Sequence, residues 1–216
     1  MSVNLSTQYL GLDLKNPLVV AACGLMDKLD NIRRSEQAGA AAVVMHSLFE
    51  EQIAHEEVET QAVYDHGADS FAESLSYFPE LEDYRLGPDS YLAHIEAAKA
   101  AVSIPVIASL NGTSKGGWIR YAKLFEEAGA DALELNIYFI AADVQMSSEQ
   151  VESQYIELVS AVKESISIPV AVKVGPNFSS PGHMCVRLAE AGADGLVIFN
   201  RFVQPDIDLE TMEITP

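Results

Sequence analysis

The feature that most limits the fold of this chain is an internal repeat. The tetrapeptide Ser103-Ile104-Pro105-Val106 opens SIPVIASL, and it returns 64 residues later at Ser167-Ile168-Pro169-Val170, opening SIPVAVKV. A second tetrapeptide, Ala128-Gly129-Ala130-Asp131 in AGADALEL, returns 63 residues later at Ala191-Gly192-Ala193-Asp194 in AGADGLVI. A weaker third copy opens the chain, with NPLVVAACG over Asn16–Gly24 and AGAAAVVM over Ala38–Met45. Each copy reads Pro, a short apolar run, a helical stretch, Ala-Gly-Ala and a second apolar run. Such repetition marks one supersecondary unit used several times.

The apolar runs are continuous rather than alternating and are bounded by Pro or Gly, which suits strands covered on both faces of a parallel sheet. Six strands are predicted: Leu18–Ala22, Ala41–Met45, Val106–Leu110, Ala132–Asn136, Val170–Val174 and Leu196–Asn200. Between them Val151, Tyr155, Leu158, Val162 and Ile166 step along one helix face, with Ser147 and Gln150 spaced as a capping box. Ser180-Pro181 reads as a cap and first-turn proline, and the glycine of each Ala-Gly-Ala as a helix stop. The segment QYLGLDLKNP reads as a small N-terminal hairpin closing the bottom of a barrel. A doubly wound sheet also accommodates six strands. The first strand, however, lacks a Gly-rich dinucleotide turn, and the polar residues gather at strand C-terminal ends. The expected fold is therefore α/β, of the TIM-type (β/α)8 barrel lineage, with about six of the eight βα units present in a single domain spanning residues 1–216. Three arrangements follow for a six-stranded chain: a fragment, a barrel completed by association with another copy, or an open sheet.

In a barrel the functional face is the C-terminal end of the strands. Those ends bring Ala22-Cys23-Gly24, His46-Ser47, Asn111-Gly112, Asn136, Lys173 and Asn200-Arg201 to one mouth. Asparagine offers donors and an acceptor without charge, so three of them match the edge of a heterocycle. A lysine set by a strand can hold an anionic ring or a phosphate. The plainer alternative is that the asparagines only terminate strands and Lys173 only extends to solvent.

These residues resemble those of the dihydroorotate dehydrogenases, and most of all the dihydroorotate dehydrogenase-like FMN-binding (β/α)8 barrels. The resemblance runs along NPLVVAACG after the hairpin, LELN at Leu133–Asn136, PVAVKVGPNF at Pro169–Phe178, and VIFN at Val197–Asn200 followed by PDID. It implies FMN as cofactor, hydride transfer between a CH–CH group of a small substrate and the flavin, and a place in pyrimidine biosynthesis. It further implies that Lys173 stands beside the flavin ring and that Ala22, Cys23, Gly24, Ser47, Asn136 and Asn200 line it. Asn111, Asn136 and Asn200 would face substrate.

The departures are equally specific. The family's general base, a Cys or Ser in the loop after the fourth strand, falls on Phe139, and the second asparagine of that loop is Ala141. The family lysine after the second strand aligns with His46, and the Asn-rich substrate loop is replaced within Ser74–Arg85. The Gly-Gly motif that holds the FMN phosphate has no counterpart in the six units. A non-catalytic degenerate barrel that binds a small molecule or a protein is thus the alternative function.

Other features carry less. The chain has 13 Lys and Arg against 32 Asp and Glu, a formal charge of −19, which argues against nucleic acid and anionic membrane surfaces. No apolar run reaches membrane-spanning length, and the first residues lack signal-peptide blocks. Cys23 and Cys185 make no disulfide framework, so a reducing, cytoplasmic setting is expected. The histidines show no metal-ligand spacing, and no metal is expected. Asn111–Gly117 reads as the turn before a helix whose Trp118, Tyr121 and Phe125 form a core stripe, and Asp131 and Asp194 as structural members of the repeat. The stretch Glu50–Glu96, with thirteen acidic residues and Arg85 as its one basic residue, reads as a long acidic insertion after the second strand, either a substrate lid or a solvated cover.

Overall fold

The computed structural model describes residues 3–50, 88–112, 115–139, 141–200 and 206–215. The aromatic and acidic residues of 51–87, the loop positions Thr113 and Ser114, and Arg201 lie outside the described residues. A hairpin of β1 (Thr7–Tyr9) and β2 (Leu12–Leu14) leads into β3 (Val19–Val20). A 3-10 turn (Gly24–Asp27) and α1 (Leu29–Gln37) then precede β4 (Ala42–Phe49). There follow α2 (Pro88–Ala101), β5 (Val106–Asn111), α3 (Lys115–Glu127), β6 (Ala132–Asn136), α4 (Ser148–Lys163), β7 (Val170–Val174), α5 (Pro181–Glu190) and β8 (Gly195–Ile198). A last hairpin pairs β9 (Asp206–Asp208) with β10 (Glu213–Thr215). Among the described helices none is long and apolar enough to cross a membrane.

Strands β3 to β8 form one sheet in sequential order, with every neighbouring pair parallel. A doubly wound sheet reverses its order at a switch point, and this one does not. The result is an open half-barrel flanked by helices, the architecture expected of a partial TIM-type barrel. The inner strands β4 to β7 are buried on two sides over most of their length, which is why their sequences run apolar without alternation. The outer faces, including Val43, Leu133, Leu135 and Val172, pack with helix residues such as Trp118, Phe125, Leu158 and Val162. The inner faces, Ala42, Val44, Ile107, Ala132 and Ala171, pack with Leu10 and Leu14 of the hairpin.

The hairpin is thus a plug on the inner, N-terminal side of the sheet. Its two-residue turn needs positive φ at both positions, met by Leu10 (φ 55) and Gly11 (φ 71). That conformation strains a leucine, and the compensation is burial, since Leu10 is 3% exposed. Gly195 makes room for it: a Cβ there would lie 2.7 Å from Leu10 Cδ2.

The repeat has a mechanical explanation. Asp131, at the start of β6, accepts the N–H of Val106 at the start of β5 (2.7 Å) and the ammonium of Lys99 (2.6 Å). Asp194, at the start of β8, does the same with the Val170 N–H (2.8 Å) and Lys163. The serines are gripped in parallel fashion. Glu36 accepts from the N–H (2.8 Å) and Oγ (2.6 Å) of Ser103, and Glu126 from the N–H of Ser167 (2.8 Å) and its Oγ (2.5 Å). These bonds, led by the serine hydroxyls, hold both carboxyls below their ordinary range. The middle glycines Gly39, Gly129 and Gly192 stand at φ 104, 87 and 106, the left-handed turn that ends each helix. The Ser147–Gln150 capping box and the Trp118, Tyr121, Phe125 core stripe are also present.

Five expectations are corrected. The first strand is Val19–Val20 rather than Leu18–Ala22, because it has a single neighbour, β4, and pairs there at two positions. The second runs on to Phe49, because a register shift after Val44 lets Ser47, Leu48 and Phe49 rejoin β5. The last ends at Ile198 rather than Asn200. Ser180 gives no side-chain cap; Pro181 at the first turn removes one donor instead. Residues 88–96 also belong to the crossover helix α2, not to the insertion.

If Asp131 works mainly through the Val106 N–H, then Asp131→Ala should cost about 1.5–3 kcal/mol in urea unfolding, as for a charged hydrogen bond. Lys99→Met, which removes only the partly exposed ion-pair partner, should cost less than about 1 kcal/mol.

Candidate functional site

The C-terminal ends of the strands enclose a cleft of about 750 Å³. Its walls include Ala22, Cys23 and Gly24 after β3, His46 and Ser47 on β4, Asn136 at the end of β6, Lys173 on β7 and Asn200 after β8. All seven residues assigned by resemblance to a cofactor therefore reach one cavity. Asn200 Nδ2 donates to Asn136 Oδ1 (2.8 Å), and the Asn200 N–H is held by the Val174 carbonyl (2.8 Å).

Asn111 does not join them. It lines a neighbouring pocket of about 440 Å³ with Gly112, Tyr138, Phe139 and Ala141, and Phe49 is the wall common to both cavities. Phe139, at the family's base position, is packed edge-on against Tyr155, with centroids 4.9 Å apart. A phenyl group there offers no proton acceptor.

Sequence reasoning passed over one wall of the cleft. Asp27, Ser90, Tyr91 and His94 all line it. The register shift in β4 interrupts its pairing with β5 between Val44 and Ser47. The buried hydroxyl of Tyr91 fills that gap. It lies 2.8 Å from the His46 carbonyl and 3.1 Å from the Ser109 carbonyl, and accepts from the Ser109 N–H at 3.1 Å. Burial, ahead of any other influence, pushes this phenol well above its ordinary range. Bulges of this kind recur beside functional sites because they re-aim side chains. Here His46 and Ser47 both reach the cleft.

The His46 ring sits edge-on to Tyr91 (4.9 Å) and 6.2 Å from His94. Asp27 Oδ1 is 2.8 Å from its Nδ1, off the N–H direction, so that buried nitrogen has an electrostatic contact without a hydrogen bond. His94 Nε2 meets the Met26 carbonyl at 2.7 Å. Burial holds the His46 imidazole below its ordinary range; Asp27 opposes this and His94 adds to it.

A second omission is Glu134. It lies two residues before Asn136 on the same inner face of β6 and is 3% exposed. Its Oε1 is 3.4 Å from Lys173 Nζ. Burial raises its carboxyl above the ordinary range, while Lys173 and Ser109 pull the other way. Strand parity alone would have flagged it: a Glu inside LELN must face the barrel interior if Asn136 does. Among the described residues no group of three or more His, Cys, Asp or Glu gathers to hold a metal.

Taken together, the sequential parallel sheet and a polar cleft at its C-terminal end define a member of the TIM-barrel class of architectures, present in part. No family model matches the sequence. Among curated proteins the chain is similar to the catalytic subunit of dihydroorotate dehydrogenase B (NAD(+)) from Methanosarcina acetivorans, with 30% identity over 206 residues, 93% of this chain and 62% of that protein. The corresponding subunit of Thermoplasma acidophilum is 28% identical over 218 residues, 95% of this chain and 65% of that protein. That of Anoxybacillus flavithermus is 34% identical over 129 residues, 58% and 41%. The chain spans less than two thirds of the length of these relatives. They establish a distant relationship to the dihydroorotate dehydrogenase B family.

Solved structures agree on the fold alone. A dihydrodipicolinate synthase from Agrobacterium tumefaciens superposes with a TM-score of 0.50 at 18% identity, covering 80% of this chain and 50% of that one. A phosphonopyruvate hydrolase in complex with oxalate and Mg++ superposes with a TM-score of 0.51 at 20% identity, covering 88% and 61%.

Two measurements test this wall. Tyr91→Phe strands the backbone groups at the β4 irregularity and should cost about 1–3 kcal/mol in urea unfolding. His46 has a folded-state pKa below its unfolded value of 6.5. Its contribution is therefore present above that pH and lost as pH falls through the lower folded value. The urea midpoint of His46→Gln should decline less than that of the parent as pH falls below 6.5.

Proposed function

We propose that this protein binds FMN in the cleft and acts as an oxidoreductase on a CH–CH group of a small substrate. The observation that carries the reading is the convergence of Ala22, Cys23, Gly24, Ser47, Asn136, Lys173 and Asn200 on one cavity. It gains weight from the chain-long similarity to a dihydroorotate dehydrogenase B catalytic subunit. A cavity of about 750 Å³ suits a flat three-ring heterocycle. When bound, the flavin supplies the acceptor for a hydride.

The chain's own residues have separable tasks in this reading. Lys173 Nζ sets a positive charge in a largely buried position, where it stabilises negative charge developing on a ring. Asn136 and Asn200, already joined to each other, present amide edges for a heterocycle or substrate. Ala22, Cys23 and Gly24 let a ring pass close to the backbone. Asn111 serves a substrate only from across Phe49. The single domain of residues 1–216, a cytoplasmic setting and a place in pyrimidine metabolism belong to the same proposal.

A second reading, a non-catalytic barrel that binds a small molecule, is favoured by the packed phenyl of Phe139 at the base position. Visible absorption after FMN loading and desalting separates binding from its absence. We expect retained flavin bands, and a Kd weakened about 10- to 100-fold by Lys173→Met, the loss of one charged contact. A protein that takes up no FMN sinks the flavin reading. Retained FMN that no CH–CH donor bleaches under anaerobic conditions supports the second.

A further inference from the structure

The inner face of a parallel sheet is ordinarily apolar, and Glu134 breaks that rule in a way that leads to the cleft. The register sets Ser47, Ser109 and Glu134 side by side on β4, β5 and β6. Ser109 is the cross-strand neighbour of Glu134 on the same inner face. Its Oγ lies 2.8 Å from Ser47 Oγ, and Ser47 lines the cleft. On the other side, Lys173 Nζ is 3.4 Å away and also lines the cleft. A carboxyl group in the interior therefore stands in one row with two hydroxyls that reach the cavity and touches an ammonium that lines it.

We propose that Glu134 is a proton acceptor coupled to the cleft: negative charge brought to Lys173 is balanced by uptake of one proton on Glu134, conducted inward through Ser47 and Ser109. This rests on the flavin reading for the identity of the incoming charge, a reduced ring, but the ligand-free behaviour of Glu134 tests it independently.

The argument is one of charge balance at low dielectric. With both groups ionised, Glu134 and Lys173 are neutral as a pair, and their attraction does little more than offset desolvation. A second negative charge beside Lys173 leaves two anions on one cation, and the most buried anion is the one that protonates at least cost. Ser109 accommodates either state, since a hydroxyl donates to a carboxylate and accepts from a carboxylic acid by rotation. Other titratable groups face this region from the neighbouring elements. Tyr9 faces Glu134 from the hairpin, its phenol pushed up to about 12 by burial and then by Glu134 itself. His46 and Asp27 line the cleft on the side of β4 and the 3-10 turn. A merely structural carboxylate would hold Lys173 in place without changing its proton content.

The test has two arms. In ligand-free protein labelled with 13C at Glu carboxyls, the Glu134 resonance is the one missing from Glu134→Gln. It should titrate above the ordinary value of 4.5 and move further up in Lys173→Met, which removes a cation much as an anion would neutralise it. Titration in the ordinary range, or indifference to Lys173→Met, overturns the proposal. In FMN-loaded protein, dithionite supplies two electrons; one proton goes to the flavin N5 and, in this proposal, a second to Glu134. One proton per two electrons lowers the midpoint potential by about 30 mV per pH unit, and two protons by about 60 mV. Near pH 7 the parent should show the steeper slope and Glu134→Gln the shallower. Equal slopes overturn the proposal. Failure to retain FMN overturns the flavin reading instead, and the first arm still decides the role of Glu134.

Discussion

The candidate site depends on the register of the parallel sheet, and two carboxylates at the strand starts hold that register. Asp131 ties the start of β6 to the start of β5, and Asp194 ties the start of β8 to the start of β7. A slip of one residue would turn every side chain on a strand to the opposite face. Lys173 would then point at the helices, Glu134 with it, and Leu133 and Val172 would enter the cleft. With the register held, Asn136 stands opposite Lys173, and Ser47, Ser109 and Glu134 form one level. The bonds that secure the chemistry are at the other end of the strands from it.

Along the inner face the side chains change character with height. The lowest level is apolar and packs against Leu10 and Leu14 of the hairpin. The next holds Ser47, Ser109 and Glu134, and above it come Asn136 and Lys173. An apolar base lowers the local dielectric, so the charges above it interact more strongly than they would at a surface. The same base makes the buried carboxyl costly to ionise, which gives Glu134 its raised pKa.

The similarity to the dihydroorotate dehydrogenases is uneven across the cleft, and the structure divides it physically. Residues matching the flavin side share one cavity, whereas Asn111, Tyr138, Phe139 and Ala141 open into another behind Phe49. Two of the departures from the family, Phe139 and Ala141, fall in that second pocket, whereas His46 lines the cleft itself.

Much of the fold was legible because it rests on local rules. Apolar runs without alternation, Ala-Gly-Ala helix stops and the Ser147 cap depend on neighbours in sequence, and β6 and β7 match their predicted bounds. Errors fell where a neighbour decides the outcome: β3 is short because it has one partner, and β4 is long because its register shifts. Of the site, the strand-end residues could be read from parity and repeat. Tyr91, Asp27 and His94 could not, since they lie on a helix and a turn that reach the cleft only through packing. Glu134 could have been read and was hidden by its apolar neighbours. The amino-acid sequence by itself determined the repeat, the strands and which residues sit at their ends, because these follow from chain geometry. The tertiary structure alone decided that Asn111 belongs to another pocket, that Tyr91 stitches an irregular strand, and that Lys173 meets a buried carboxylate, because those are contacts between distant segments brought together by the register.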